Sequence, residues 1–131
     1  MNRRTLIITG LLALPGAALA QGQPHAHTHA PGPNGGTIGE VGTRHVELVV
    51  QAGELRIYVL DEQDRPTSAR GATGSVVVQA QGRQQTVRLE PGAGDAYLVG
   101  RGDIPARGLR VVATLTLPGQ PQRSVRFAAI P

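Results

Sequence analysis

The feature that most constrains the fold is a period-two alternation of apolar side chains from Thr37 onward. Successive side chains of a β-strand point to opposite faces, so this alternation predicts strands with one buried face. The strictest run is Leu109 to Leu117, in which every second residue is apolar. Glycine and proline interrupt the runs at short intervals, and no segment combines a helical period with caps. The body of the chain is therefore predicted to be all-β.

Neighbouring runs also predict how the strands pair. Residues 51–54 can link two runs as a hairpin in a single register. This register aligns Val50 with Leu55, Leu48 with Ile57, and Val46 with Val59. A type II′ turn at Gly82-Arg83 predicts a second hairpin, pairing Ala80 with Gln85, Val78 with Val87, and Val76 with Leu89. The loop 118–122 predicts a third, pairing Leu115 with Val125 and Ala113 with Phe127.

Two more short strands are expected, at 37–41 and around 95–99. Seven or eight strands over residues 37–131 predict an antiparallel immunoglobulin-like β-sandwich, with a small open barrel as the alternative. Val, Leu and Ile would fill the core, with Tyr58, Tyr97 and Phe127 as its largest side chains. The chain has no cysteine, which excludes disulfides and thiolate metal sites.

The first 20 residues have the pattern of an export signal. Arg3 and Arg4 precede a short apolar run, and the small residues of 18–20 predict cleavage after Ala20. The apolar run is shorter than the ~20 residues of a membrane span. We therefore expect a periplasmic protein without a membrane span. Residues 21–36 carry no large apolar side chain and are predicted to form a flexible tail before the domain at 37–131.

Charge is nearly balanced once the predicted signal is removed. The whole chain has 13 basic residues, all arginine, and 9 acids; two of the arginines lie in the signal. The remaining arginines and acids are interspersed along the chain, which predicts a mixed surface rather than a nucleic-acid-binding patch.

The strongest local motif is the alternating histidine triplet of the tail, at His25, His27 and His29. Imidazole is a common ligand of copper and zinc, and residues two apart in an extended chain point the same way. The triplet therefore indicates binding of Cu(II) or Zn(II). The alternative is a solvated low-complexity tail whose histidines have no role.

His45 and Glu47 lie two residues apart at the start of the first clear strand, on the face opposite Val46 and Leu48. In one interpretation they complete the metal site of the tail. In the other, His45 makes a local hydrogen bond, and Glu47 pairs with Arg56 or with the hydroxyl of Tyr58.

Catalysis has little support in the sequence. The serines lack the pattern of a nucleophile elbow, and His45 is the single histidine of the body. Acid/base pairs are not recognisable from the spacing of the glutamates. We therefore expect a protein that is not an enzyme.

Three stretches carry a resemblance to a known family: the glycine-rich residues 32–36, the strand 45–50 and the strand 53–61. Their pattern resembles small periplasmic bacterial proteins that accompany heavy-metal efflux systems, and is similar to the soluble N-terminal region of some efflux membrane-fusion subunits. The segment 59–72 also resembles carboxypeptidase-regulatory or transthyretin-like sandwiches. The resemblance implies a metal-handling accessory protein whose partner is an efflux membrane-fusion subunit or another envelope protein. The alternative is an interaction module that docks on an envelope partner, with metal binding incidental.

Overall fold

The computed structural model describes residues 30–131, which form two antiparallel β-sheets. Strands in this range are β1 (Thr37–Val41), β2 (Arg44–Gln51), β3 (Glu54–Leu60), β4 (Pro66–Thr67), β5 (Thr73–Ala80), β6 (Arg83–Arg88), β7 (Glu90–Pro91), β8 (Leu98–Arg101), β9 (Leu109–Thr116) and β10 (Arg123–Arg126). One 3₁₀ turn, Ala93–Asp95, lies between β7 and β8. The predicted signal peptide lies outside the described residues.

The sheets divide the strands into two groups. Sheet A has the order β1-β2-β3-β8-β7, with β4 beside β3, and sheet B has the order β10-β9-β5-β6. Every pairing is antiparallel. The predicted all-β antiparallel sandwich is therefore confirmed. The more detailed immunoglobulin-like assignment stays a prediction; sheet A begins with a three-stranded meander.

The core lies between the sheets and follows the alternation of the sequence. It consists mainly of Val, Leu and Ile, and Phe127 belongs to it with 4% of its surface exposed. The prediction for the other two large side chains was wrong. Tyr58 and Tyr97 are half-buried and outside this core. Tyr58 alternates with the buried Ile57 and Val59 along β3, so it must point to the outer face of sheet A.

The register of the first hairpin is confirmed, whereas the other two are displaced. Val50 lies opposite Leu55, and the whole β2–β3 pairing agrees with the prediction. In sheet B, Ala80 pairs with Arg83 rather than with Gln85. Likewise Leu115 pairs with Arg123 rather than Val125. Each displacement is two residues, so the buried face of each strand is unchanged and the apolar pattern cannot detect the error.

Turn chemistry accounts for the displaced register of the second hairpin. The two turn residues are Gln81 and Gly82, both with positive φ, of 52° and 71°. That combination is a type I′ turn, not the type II′ turn predicted at Gly82-Arg83. The strand expected around 95–99 also begins later, at Leu98, because the 3₁₀ turn occupies Ala93–Asp95.

The fold also separates charges that the sequence intersperses. The strands of sheet B carry five arginines and no acidic side chain. The rest of residues 30–131 holds six arginines and nine acids, a net charge of −3. The predicted mixed surface is therefore wrong for sheet B.

Candidate functional site

A buried carboxylate on the outer face of sheet A is the most unusual polar feature of the described residues. Glu47 is fully buried, although its neighbours Val46 and Leu48 face the core on the opposite side of β2. Its Oε1 accepts hydrogen bonds from the backbone N–H groups of Asn34 and Gly36, both at 2.8 Å. Its Oε2 accepts one from the side-chain amide of Asn34, also at 2.8 Å. Because an unpartnered buried charge is costly, these bonds are what make the position tenable.

The segment that binds Glu47 is a closed turn. Gly35 N–H donates to the carbonyl of Gly32 at 2.9 Å, and Gly32 N–H donates to the carbonyl of Gly36 at 3.0 Å. Gly35 has a φ of 78°, a backbone conformation that favours glycine. The turn presents its N–H groups to the carboxylate, which supplies the partners that a buried loop needs.

Close packing fixes the turn against the sheet. A Cβ atom on Gly32 would overlap the carboxyl carbon of Glu47 and would lie 2.7 Å from Cδ1 of Ile38. A Cβ atom on Gly36 would overlap the carbonyl oxygen of Leu48. Ile38 is also buried, at 6% exposed, yet it lies outside the main core cluster. The segment Gly32–Gly36 therefore covers a small second core on the outer face of sheet A.

This turn belongs to the segment 21–36 that the sequence predicts as a flexible tail. Its last five residues are instead bound to β2 through Glu47. Arg56, one of the alternative partners predicted for Glu47, donates to Glu54 instead. Both oxygens of Glu47 are occupied by the turn, which gives this residue a structural role where a metal ligand was one interpretation.

His45 lies two residues before Glu47 on the same face. Its Nδ1 lies 2.5 Å from Oδ1 of Asp64, in the turn between β3 and β4. Glu40 is its cross-strand partner on β1. Asp64 is held by the turn, because its N–H donates to the carbonyl of Asp61 at 3.1 Å. The contact with Asp64 fixes the orientation of the His45 ring.

Of the five predicted metal ligands, His45 and Glu47 lie within the described residues. His25, His27 and His29 lie outside the described residues. His45 and Glu47 share a face, but Glu47 is directed to the Gly32–Gly36 turn and His45 to Asp64. Across residues 30–131, no group of three or more His, Asp or Glu side chains is placed to hold a metal ion.

A second cluster occupies the outer face of sheet A farther along β3. Arg56 Nε donates to Oε1 of Glu54 at 2.7 Å, and Arg101 Nε lies 3.3 Å from Oε2. The hydrogen bond from Arg56 lowers the pKa of Glu54, and the same bond raises the pKa of Arg56. The guanidinium of Arg56 lies 4.5 Å from the ring centroid of Tyr97, which lies 5.2 Å from that of Tyr58.

The comparisons with known proteins do not assign this chain to a family. No family model, curated protein or solved structure matches this chain. In the part of the chain that the structure describes, no helix is long and apolar enough to cross a membrane. The resemblance to efflux-associated proteins therefore stays a prediction.

Sequence reasoning missed the Gly32–Gly36 turn and the role of Glu47. One signal was available: an acid at a central position of a strand, opposite the Tyr58 position, with a glycine-rich segment eleven residues before it. Composition classed that segment as unable to order itself, because it contains no large apolar side chain. It is ordered by its backbone N–H groups instead, which composition does not measure.

Proposed function

We propose that this chain is an exported metal-binding protein that captures a Cu(II) or Zn(II) ion through its tail histidines, with His45 as a ligand on the folded body. In this proposal it hands the ion to an envelope efflux component and does no catalysis. One observation supports it above the others: the turn bound by Glu47 fixes the C-terminal end of the histidine-bearing segment 21–36 on the same face as His45.

Chain length makes the convergence feasible. His29 is three residues from Gly32, a reach of at most about 10 Å. Gly32 packs against Glu47, and His45 lies two residues along β2, a distance of about 7 Å. All three tail imidazoles can therefore approach His45 without displacing the Gly32–Gly36 turn.

The partner of His45 also suits a metal ligand. Histidines that bind metals commonly hydrogen-bond a carboxylate through the other ring nitrogen, which fixes the ring orientation. Asp64 makes such a contact with Nδ1. Imidazole must be neutral to bind an ion, so affinity should fall below about pH 6.

The setting is supported by the sequence. The export signal predicted at residues 1–20 supports a periplasmic location, and the family resemblance supports a link to heavy-metal efflux. Transfer to a partner would suit imidazole ligands carried by one chain segment, because a site assembled from such a segment can exchange its ion.

The test is calorimetric titration of Cu(II) and Zn(II) into the chain beginning at Gln21, which keeps all of residues 30–131. Replacing His25, His27 and His29 with alanine should abolish binding at concentrations that saturate the unmodified chain. Thr28→Ala is the matched control, because it changes the same segment without removing an imidazole. Equal affinity in the unmodified chain and the triple variant would contradict the proposal.

The contribution of the folded body is tested separately. We expect Asp64→Asn to weaken metal binding by about 10-fold, since the loss of an outer hydrogen-bond partner typically costs 10–100-fold. His45→Ala should weaken binding further. Unchanged affinity in both variants would restrict the site to the tail.

A second candidate function is an interaction module that docks on an envelope protein. The cluster of Tyr58, Tyr97 and Arg56 favours it, because tyrosine and arginine dominate the energetics of protein interfaces. A metal-independent complex that survives removal of residues 21–29 but is lost in Tyr97→Ala would support this alternative.

A further inference from the structure

The outer face of sheet B differs in chemistry from every other surface of the described residues. Side chains that alternate with the buried ones of β5, β6, β9 and β10 form it. Arg88, Arg110 and Arg126 lie on this face, and all three are exposed. The other outward residues of this basic face are serine, threonine and glutamine, apart from Val77 and Val112.

No acidic side chain neutralises the basic face. Within the described range, none of its arginines forms an ion pair, whereas Arg56, Arg65 and Arg101 of the remaining surface all do. Eight of the nine acids lie on sheet A strands or on loops that join them, and the ninth is Asp103. An uncompensated set of charges on one side of a protein attracts a partner of opposite sign.

The strand register sets the spacing of the arginines. Arg126 lies opposite Val112, so Arg110 is its diagonal neighbour at about 7–8 Å. Arg88 lies three strands away from β10, about 14 Å across the sheet. Arg110 and Arg126 are among the residues that line a depression of about 340 Å³. Guanidinium groups bind phosphate through paired hydrogen bonds, and such a depression can receive a phosphate group.

The basic face has no large apolar or aromatic residue at its centre, which favours a lipid surface over a protein as its partner. Stable protein interfaces depend on buried aromatic or large apolar residues at their centre. The largest apolar side chains of the basic face are Val77 and Val112, both half-buried, and it has no aromatic residue. A face with charge and no anchor suits an anionic lipid surface, which is bound mainly through its charge.

We propose that the outer face of sheet B binds peripherally to membranes rich in anionic phospholipid, with Arg110 and Arg126 as the main phosphate contacts. No side chain inserts into the bilayer, so the interaction is reversible and salt-sensitive. In this arrangement the Glu47 turn and His45, on the opposite sheet, face away from the membrane.

The test is co-sedimentation of the chain beginning at Gln21 with vesicles of 70% phosphatidylcholine and 30% phosphatidylglycerol. Vesicles of phosphatidylcholine alone and polyglutamate are the comparison ligands. We expect binding to the anionic vesicles alone, and its loss in high salt. Arg110→Gln with Arg126→Gln should weaken binding about 25-fold, at about 1 kcal/mol for each arginine.

The control is Arg70→Gln with Arg107→Gln, which removes the same charge from exposed loop positions off the basic face. It should change vesicle binding by less than about threefold. Equal weakening in the two double variants would overturn the proposal, since net charge would then explain the binding. Binding to polyglutamate but not to anionic vesicles would also overturn it, in favour of an acidic protein partner.

Discussion

The two sheets share one core but treat their outer faces in opposite ways. Sheet A covers part of its outer face with the chain's own Gly32–Gly36 turn and buries Glu47 beneath it. Sheet B leaves its outer face bare, with three exposed arginines and no acid. The inner faces of both sheets follow the same alternation of apolar residues.

The difference shows which part of a sandwich sequence is left to vary. Alternation constrains the inward positions, because they must fill a common core. The outward positions are under no such constraint, so Glu47 on β2 and Arg110 on β9 can have different roles. Sheet A uses its outward positions to hold a chain segment in place, and sheet B uses them to present charge.

The largest effect should come from removing the carboxylate on which the covered face depends. We expect Glu47→Ala to lower the free energy of unfolding by about 3 kcal/mol, because buried donors of Asn34 and Gly36 lose their acceptor. Urea denaturation of the chain beginning at Gln21 measures the change.

The matching change on sheet B is Thr114→Ala, at a half-buried outward position of β9. It should cost no more than about 0.5 kcal/mol, as is usual for surface substitutions. If the two variants were equally stable, the covered face of sheet A would have no special role in the fold.

The site could be predicted only in part, and Glu47 shows why. Alternation placed it correctly on the outer face beside His45, because that depends on strand period alone. Its burial could not be predicted, because the covering turn is held by backbone N–H groups of Asn34 and Gly36. Such donors are present in every residue except proline, so their use leaves no mark on composition.

The second effect concerns two turn glycines, one in the Gly32–Gly36 turn that covers sheet A and one in the β5–β6 turn of sheet B. Gly32→Ala should cost about 2 kcal/mol, because its Cβ would overlap the buried carboxyl group of Glu47. Gly82→Ala, in the β5–β6 turn, meets no atom within 4 Å but has a φ of 71°, so it should cost about 1 kcal/mol.

Hydrogen exchange separates the two causes. Gly32→Ala should reduce protection at the amides of Asn34 and Gly36, whereas Gly82→Ala should leave both protected. If the amides of Asn34 and Gly36 stayed protected in both variants, the Gly32–Gly36 turn would tolerate a side chain at Gly32 against Glu47.

The third effect is a loss of stability at low pH, which arises from carboxyl groups of sheet A and its loops. Arg56 lowers the pKa of Glu54 below its ordinary value of 4.5, and the backbone N–H of Arg65 lowers that of Asp61. A carboxyl whose folded pKa is lowered stabilises the fold above its unfolded pKa, and this stabilisation is lost as pH falls through the folded value. Stability should therefore decline below about pH 4.5.

Urea midpoints at pH 6.5 and pH 3 measure this decline. Glu54→Gln and Asp61→Asn should each show a smaller decline than the unmodified chain. Glu90→Gln is the control, because it removes an exposed carboxylate from the same sheet. An identical decline in the unmodified chain and both variants would show that these two ion pairs do not cause the acid sensitivity.

The fold could be predicted better than its registers. Class and the β2–β3 pairing follow from alternation, because a one-residue error would turn apolar side chains toward water. The predicted count of seven or eight strands was too low, because the two-residue strands β4 and β7 are too short to show an alternation. A two-residue error carries no such penalty, and both displaced hairpins of sheet B differ by two. The remaining information lies in the turn, where Gln81 adopts a positive φ that its residue type does not predict.

That turn gives the smallest expected effect, and one of opposite sign. Only three non-glycine residues in the described range have a positive φ: Asp64, Gln81 and Asp95. Asparagine tolerates this region better than glutamine, and Asn-Gly is the preferred type I′ pair. Gln81→Asn should therefore raise the free energy of unfolding by about 0.5 kcal/mol. Ala52→Asn, in the two-residue β2–β3 turn of sheet A, should give no gain, because Ala52 is not in that region. A gain of equal size at both turns would show that asparagine acts through something other than the left-handed backbone of sheet B.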